Sequence, residues 1–173
     1  MPFAMPDPDV PVRIRSFQPG DQSSCSRLYA EGIAGGFIPE NDTGVDLDDI
    51  QHVYMKPGNH FWVAEAEGGI VIGMVGVQNY EPGIGEIRRL RVDVAFRRRG
   101  VGTRLVEAAV RFCEQHNYLK ITLDTFMDRE PAIRLFEKFH FRHFRTRQVA
   151  GKELMYFLLD LYAGEKSGRS GGG

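Results

Sequence analysis

Cysteine is scarce: Cys25 and Cys113 are the only two in 173 residues. Each sits in an apolar, helix-like stretch, far from a second thiol. They cannot build a disulfide framework or a thiolate metal site. Both read as small buried hydrophobes of a reducing compartment. Charge of one sign is missing as well. Lys and Arg number 22 against 23 Asp and Glu, a formal net charge of -1. No global field therefore recruits nucleic acid or an anionic membrane, and any anion must be read by a local cluster of arginines. No run approaches 18 apolar residues, and no basic stretch followed by an apolar one opens the chain. That argues against a membrane-spanning helix and a secretory signal, and the expectation is a cytoplasmic protein. Repeats and interior linkers are lacking too. What is present, 42% hydrophobic and 26% charged residues, suits one globular domain with a sizeable core.

Residues 1–11, with prolines at 2, 6, 8 and 11, read as an extended leader, and the Gly/Ser-rich residues 163–173 as a disordered tail. Between them, 12–162 reads as one domain. Residues 12–15 alternate apolar and charged, a strand. Asp21 is expected to cap a helix running to about residue 34, ended by Gly35 and Gly36. A second helix is expected over 46–54, its three early acids suiting the helix dipole. Strands at 61–65 and 70–77 meet at Glu67-Gly68-Gly69, a hairpin signal. A strand at 86–92 is followed by a helix from 102 to about 116, whose Leu105, Val106, Ala108, Ala109, Phe112 and Cys113 form a helical stripe. A strand at 121–125 and a helix opened by Pro131 follow, then two strands joined at Ala150-Gly151-Lys152. This order predicts an α/β (α+β) fold with a mixed sheet.

The chemistry concentrates in Arg97-Arg98-Arg99-Gly100-Val101-Gly102, followed by Thr103, between a strand and a helix. A helix start leaves several N–H groups unpaired and carries partial positive charge. Gly100 and Gly102 let the backbone approach an anion closely, while the arginines and Thr103 supply charge and a hydroxyl. The turn therefore suits a pyrophosphate. Three ligand classes use such turns. A dinucleotide site needs a third glycine where Leu105 stands, and further βα units that the remaining chain cannot provide. A P-loop needs Gly-Lys-Ser/Thr, which is absent. Acyl-CoA remains.

These residues resemble the GNAT N-acetyltransferase superfamily, whose cofactor signature Gln/Arg-x-x-Gly-x-Gly/Ala is matched by Arg97-x-x-Gly100-x-Gly102. The stretches Ile87-Arg88-Arg89-Leu90-Arg91-Val92 and Ala132-Ile133-Arg134-Leu135-Phe136-Glu137-Lys138 are similar to its fourth strand and last core helix. Leu123-Asp124-Thr125 resembles the camello-like branch. The resemblance implies a mixed, splayed central β-sheet flanked by helices, with acetyl-CoA as co-substrate and an amine as acceptor. It implies that main-chain groups of Leu90, Arg91 and Val92 hold the pantetheine arm, one amide polarising the thioester carbonyl. Arg129 stands where the family often has a pantetheine-binding Asn. Phe136 stands where it often has a Tyr general acid, so Phe136 is left to pack against the cofactor. Tyr80 or Tyr156 would be the substitute proton donor. His140 stands where the family usually has Gly.

An acceptor amine must lose a proton before attack, which asks for a base. Glu86 is the first candidate and Glu65 the second. His140 and His143 straddle a turn without Cys or carboxylate partners, so no metal is expected. Arg142, Arg145 and Arg147 line a strand near two phenylalanines, an arrangement nucleic acid can use, yet the balanced net charge speaks against it. Phe37-Ile38-Pro39 is placed near the acceptor by the resemblance. A C-terminal edge strand would suit two-fold pairing into a homodimer. Two readings stand beside acetyl transfer: an acyl-CoA-binding module without turnover, and an arginine-rich nucleic-acid binder.

Overall fold

The computed structural model describes residues 11–31 and 42–162. The expected leader, Gly35 and Gly36, the loop Phe37-Ile38-Pro39 and the Gly/Ser-rich tail lie outside the described residues. Seven strands make one sheet: β1 (Arg13–Ser16), β2 (His60–Ala66), β3 (Ile70–Glu81), β4 (Ile84–Val92), β5 (Lys120–Phe126), β6 (Arg142–Val149) and β7 (Lys152–Asp160). Their order is β1-β2-β3-β4-β5-β7-β6. Only β4 and β5 run parallel. The mixed sheet expected from the sequence is therefore present.

Among the described residues, four α-helices cover the two faces. α1 (Gln22–Ala30) and α2 (Ile50–Tyr54) lie on one side, where Cys25, Leu28, Ile50 and Tyr54 pack against Phe61, Val63, Val71 and Met74. α3 (Val101–Gln115) and α4 (Glu130–Lys138) lie on the other. There Leu105, Val106, Ala109 and Cys113 of the expected stripe are fully buried with Ile72, Val75 and Ile87, while Ala108 and Phe112 are half-buried beside them. β3 is covered on both faces, which is why its sequence Ile-Val-Ile-Gly-Met-Val-Gly-Val reads as a continuous apolar run. Both cysteines are free and buried, and burial pushes each thiol up to about 12.

Three local expectations need correction. α1 ends its regular turns at Ala30, and Asp21, though at its N-cap position, makes no cap bond. Its carboxylate is taken by Arg15 Nη1 and Nη2 at 2.7 and 2.9 Å, and by the Gln18 amide at 2.8 Å. The helix expected over 46–54 is split: Val45–Leu47 make a 3-10 turn, and α2 begins at Ile50, capped by Asp49, while the Asp46 carboxylate goes to Arg89. His140 holds φ +69°, and the amides of His140 and Phe141 reach back to Glu137 O and Phe136 O at 2.9 and 3.1 Å. A histidine thus performs the left-handed helix stop usually left to glycine.

Candidate active site

β4 and β5 pair only over Ile84–Lys120, Gly85–Ile121 and Glu86–Thr122. Beyond Glu86 they part. Among the described residues, no strand lies beside 87–92 of β4 on that side, and a cleft of about 270 Å³ opens there. Its walls include Glu86, Arg88, Arg89, Leu90, Arg91, Asp124, Thr125, Arg129 and Phe136. Two main-chain carbonyls along this segment take side-chain donors: Leu90 O from Arg91 Nη1 at 3.0 Å, and Val92 O from Arg97 Nε at 3.2 Å.

A bulge sits in the diverging segment. Between Met74–Arg91 and Gly76–Arg88 the ladder with β3 gains one residue on β4, and Arg89 sits at φ +60°. The extra residue shifts the side-chain phase. Glu86 and Arg88 face α1 and α2, and beyond the bulge Arg89 and Arg91 face the same way, while Ile87, Leu90 and Val92 pack toward α3. A left-handed arginine is strained. It is held by a buried network: Arg89 donates to Asp46 at 3.0 and 2.5 Å and to Asp42 at 2.6 Å, and Asp46 also accepts from Tyr54 Oη at 2.5 Å.

Electrostatics divide the cleft. At its closed end, burial raises the Glu86 carboxyl above the ordinary carboxylate value, with Arg88 at 3.2 Å opposing and Asp124 reinforcing the rise. The Asp124 carboxylate meets solvent inside the cleft but is otherwise enclosed by protein, and desolvation raises it too. At the open end, desolvation and the neighbouring Arg129 and Arg89 push the Arg91 guanidinium down to about 10. Arg129 is lowered by its own burial and by Arg97. Among the described residues, the buried side-chain polar atoms without a hydrogen-bond partner are Arg91 Nε and Thr125 Oγ1, and both belong to this cleft.

Just past the parted end of β4 lies the start of α3. Gly100 caps it at φ +74°, and no acid occupies its first turn. A Cβ built at Gly102 would stand 3.5 Å from Leu135 and 3.9 Å from Val92, ordinary contact distances. The fold itself has room for a side chain there, so the glycine answers to something other than packing. A cleft edged by unpaired main chain, ending at an acid-free helix start with arginines, can take an elongated ligand with an anionic tail.

The acetyltransferase (GNAT) family model matches residues 27–141. The chain belongs to this family. N-acetylaspartate synthetase of Xenopus tropicalis is 37% identical over 100 residues, which is 57% of this chain and 36% of that relative. The chain thus spans about a third of the length of the curated relatives it matches first. Among solved structures, a GNAT acetyltransferase of Staphylococcus aureus Mu50 superposes with a TM-score of 0.77 at 17% identity, covering 87% of this chain and 99% of that one. The yncA protein of Salmonella typhimurium, solved with its cofactor acetyl-CoA, gives 0.75 at 18% identity, covering 87% and 94%. These likenesses establish the GNAT fold.

Within that GNAT frame the residues singled out in the sequence separate into three groups. Glu86, Leu90, Arg91, Arg129 and Phe136 come together in the cleft. Val92, Arg97, Arg98, Arg99, Gly100, Val101, Gly102 and Thr103 run from the end of β4 into the first turn of α3. Val101 itself points into the core, and Phe136 is 4% exposed, edge-on to Phe141. Arg99 lies over the Phe96 ring at 5.6 Å. Glu65 is the exception. It is two strands away on β2, its carboxylate held by Arg15 and, at 3.4 Å, by Arg13, and that pairing keeps its carboxyl below the usual range. It does not line the cleft.

The sequence alone assigns no site role to Arg89, Asp42, Asp46, Asp124 or Thr125. A signal for the bulge was present: Glu86-Ile87-Arg88-Arg89-Leu90-Arg91-Val92 alternates with a slip at the paired arginines, the mark of an extra residue in a strand. Tyr80 is 62% exposed, whereas Tyr156 lies opposite Asp124 in the β5–β7 ladder with Arg145 over its ring at 4.4 Å.

Proposed function

We propose that the chain transfers the acetyl group of acetyl-CoA to a primary amine by direct attack in a ternary complex. The observation that carries this reading is the unpaired stretch 87–92 of β4 facing a cleft that runs to the start of α3. In this reading the first turn of α3, with Arg97, Arg98, Arg99, Gly100, Val101, Gly102 and Thr103, binds the pyrophosphate. Main-chain groups of Leu90, Arg91 and Val92 take the pantetheine arm, with Arg129 and the orphan hydroxyl of Thr125 beside it and Phe136 packed beneath. An amide of this segment polarises the thioester carbonyl.

Glu86 acts as the base. Burial holds its carboxyl above the ordinary range, closer to the proton it must accept. The amine nitrogen bonds to the acetyl carbon, the C–S bond breaks, and the proton passes to Glu86 or water. A thiol has an ordinary pKa near 8.5, so the leaving group departs as thiolate without an acid at Phe136. The cleft chemistry, and the two free buried thiols, fit an enzyme of the cytoplasm. The exposed edge strand β6 offers the contact for a homodimer.

The test mixes acetyl-CoA with a panel of amines and follows free thiol. Amine-dependent thiol release supports the reading. Tight acetyl-CoA binding with no release across amino acids, polyamines and peptides would leave only a binding module.

A further inference from the structure

Three arginines of β4 face the cleft on the side away from α3, and two of them are answered. Arg88 pairs with Glu86 at 3.2 Å and donates to Gln78 at 2.5 Å. Arg89 is enclosed by Asp42 and Asp46. Arg91 is not answered. A guanidinium carries five N–H donors. Here Nη1 reaches its own neighbour's carbonyl, Leu90 O, while Nε is buried without a partner among the described residues. Arg129 and Arg89 repel it, and Asp42, already hydrogen-bonded to Arg89, offsets them only in part. A largely desolvated cation in this position has only a shared counter-charge and fewer hydrogen bonds than normally accompany burial.

The missing anion has two sources. The phosphates of acetyl-CoA are one, but the helix start and Arg97–Arg99 that suit them follow Val92, whose side chain packs toward α3. Arg91 projects to the opposite face of β4. The acceptor is the other source. Its amine must lie near the thioester, beside the acids Glu86 and Asp124 at the closed end of the cleft, and Arg91 stands toward the open end of the same wall. The geometry points to an acceptor that is a carboxylate-bearing amine, with Arg91 reading the carboxylate while Glu86 and Asp124 face the amine. Planar recognition of a carboxylate is what a guanidinium does best.

This inference rests on the acetyl-transfer reading above. The same chemistry can come from a free amino acid or from a peptide with an acidic first residue, and the assay separates the two. Full-length protein with saturating acetyl-CoA is given aspartate, glutamate, their amides asparagine, glutamine and aspartate diamide, a polyamine, and a short peptide beginning with Asp. Thiol release is followed for each. The expected result is a kcat/KM for a carboxylate-bearing amine at least about tenfold above its fully amidated counterpart, the worth of one hydrogen bond to a charged group. The ranking of free acid against peptide names the source.

Arg91→Met should raise KM for the preferred acid by roughly 10- to 100-fold and collapse its advantage over the amide. Arg91→Lys should restore part of it, and Arg91→Glu should turn the preference toward the polyamine. Melting temperature and acetyl-CoA affinity are measured on each variant, and the Lys variant carries the test if the Met variant fails to fold. Equal rates for acids and amides, or an unchanged preference in a folded Arg91 variant, overturn the inference while acetyl transfer stands. Absence of thiol release with every amine overturns both.

Discussion

Replacing Gly102 with alanine should strengthen the fold, whereas Gly102→Asp should abolish cofactor binding. Gly102 is the second residue of α3, and its absent Cβ would fall 3.5 Å from Leu135 Cδ2 and 3.9 Å from Val92 Cγ2. Neither distance demands that a neighbour move. Alanine in a helix is favoured over glycine by roughly 0.5–1 kcal/mol, chiefly because the unfolded chain has less freedom to lose. In a protein of this size that raises the melting temperature by about 1–4 °C. Aspartate at the same position instead sets a carboxylate against the diphosphate and competes for the N–H groups of the first turn. Loss of one hydrogen bond to a charged group is worth about 1.5–3 kcal/mol, or a factor of roughly 10 to 150 in affinity. Differential scanning calorimetry on the alanine variant and acetyl-CoA titration on the aspartate variant read the two quantities. An aspartate variant that binds as tightly as the parent would refute the placement of the pyrophosphate. A lower melting temperature in the alanine variant would show that the glycine serves packing after all.

Arg89→Ala removes the cation from a buried pair of aspartates, which should cost about 3–5 kcal/mol and lower the melting temperature by roughly 6–20 °C. A loss near zero would mean that Asp42 and Asp46 are not held by Arg89. Glu86→Gln should reduce kcat by about two to four orders of magnitude, and the parent's rate should fall as pH drops through a Glu86 pKa above the ordinary carboxylate value. Because burial raises that pKa, the folded state favours the protonated form. The stabilising contribution is thus present at low pH and fades as pH rises through the folded pKa, so the Gln variant should be at least as stable as the parent at neutral pH. An acidic limb that persists in the Gln variant assigns the base elsewhere. His140→Gly should relieve a left-handed residue at φ +69°, adding about 1 kcal/mol, seen as a higher midpoint in urea. A destabilised glycine variant would show that the imidazole contributes more than its backbone strain costs.

Much of this architecture is written in local pattern. The stripe of α3, the hairpin at Gly68-Gly69 and the glycine turn after β4 each depend on residues within one element and its neighbour, and each was legible. The site residues that escaped depend on distant partners. Asp42 and Asp46 are drawn to Arg89 across 47 and 43 positions, so Asp46 could pass for an acid suited to a helix dipole. Glu65 looked like a base because strand order is not local: β3 stands between β2 and β4, and Arg15, 50 positions away, claims the carboxylate. Arg88-Arg89 shows the intermediate case. The slip in alternation is in the string, yet its meaning depends on which face of β4 the core covers, and the structure supplies that face.

Amide hydrogen exchange with and without acetyl-CoA tests the central claim most directly. If the cleft between β4 and β5 receives the pantetheine arm, the ligand should slow exchange in residues 87–92 and in the first turn of α3, and leave β1 and β2, on the far side of the sheet, unchanged. Unaltered exchange at 87–92 under saturating acetyl-CoA would contradict the account.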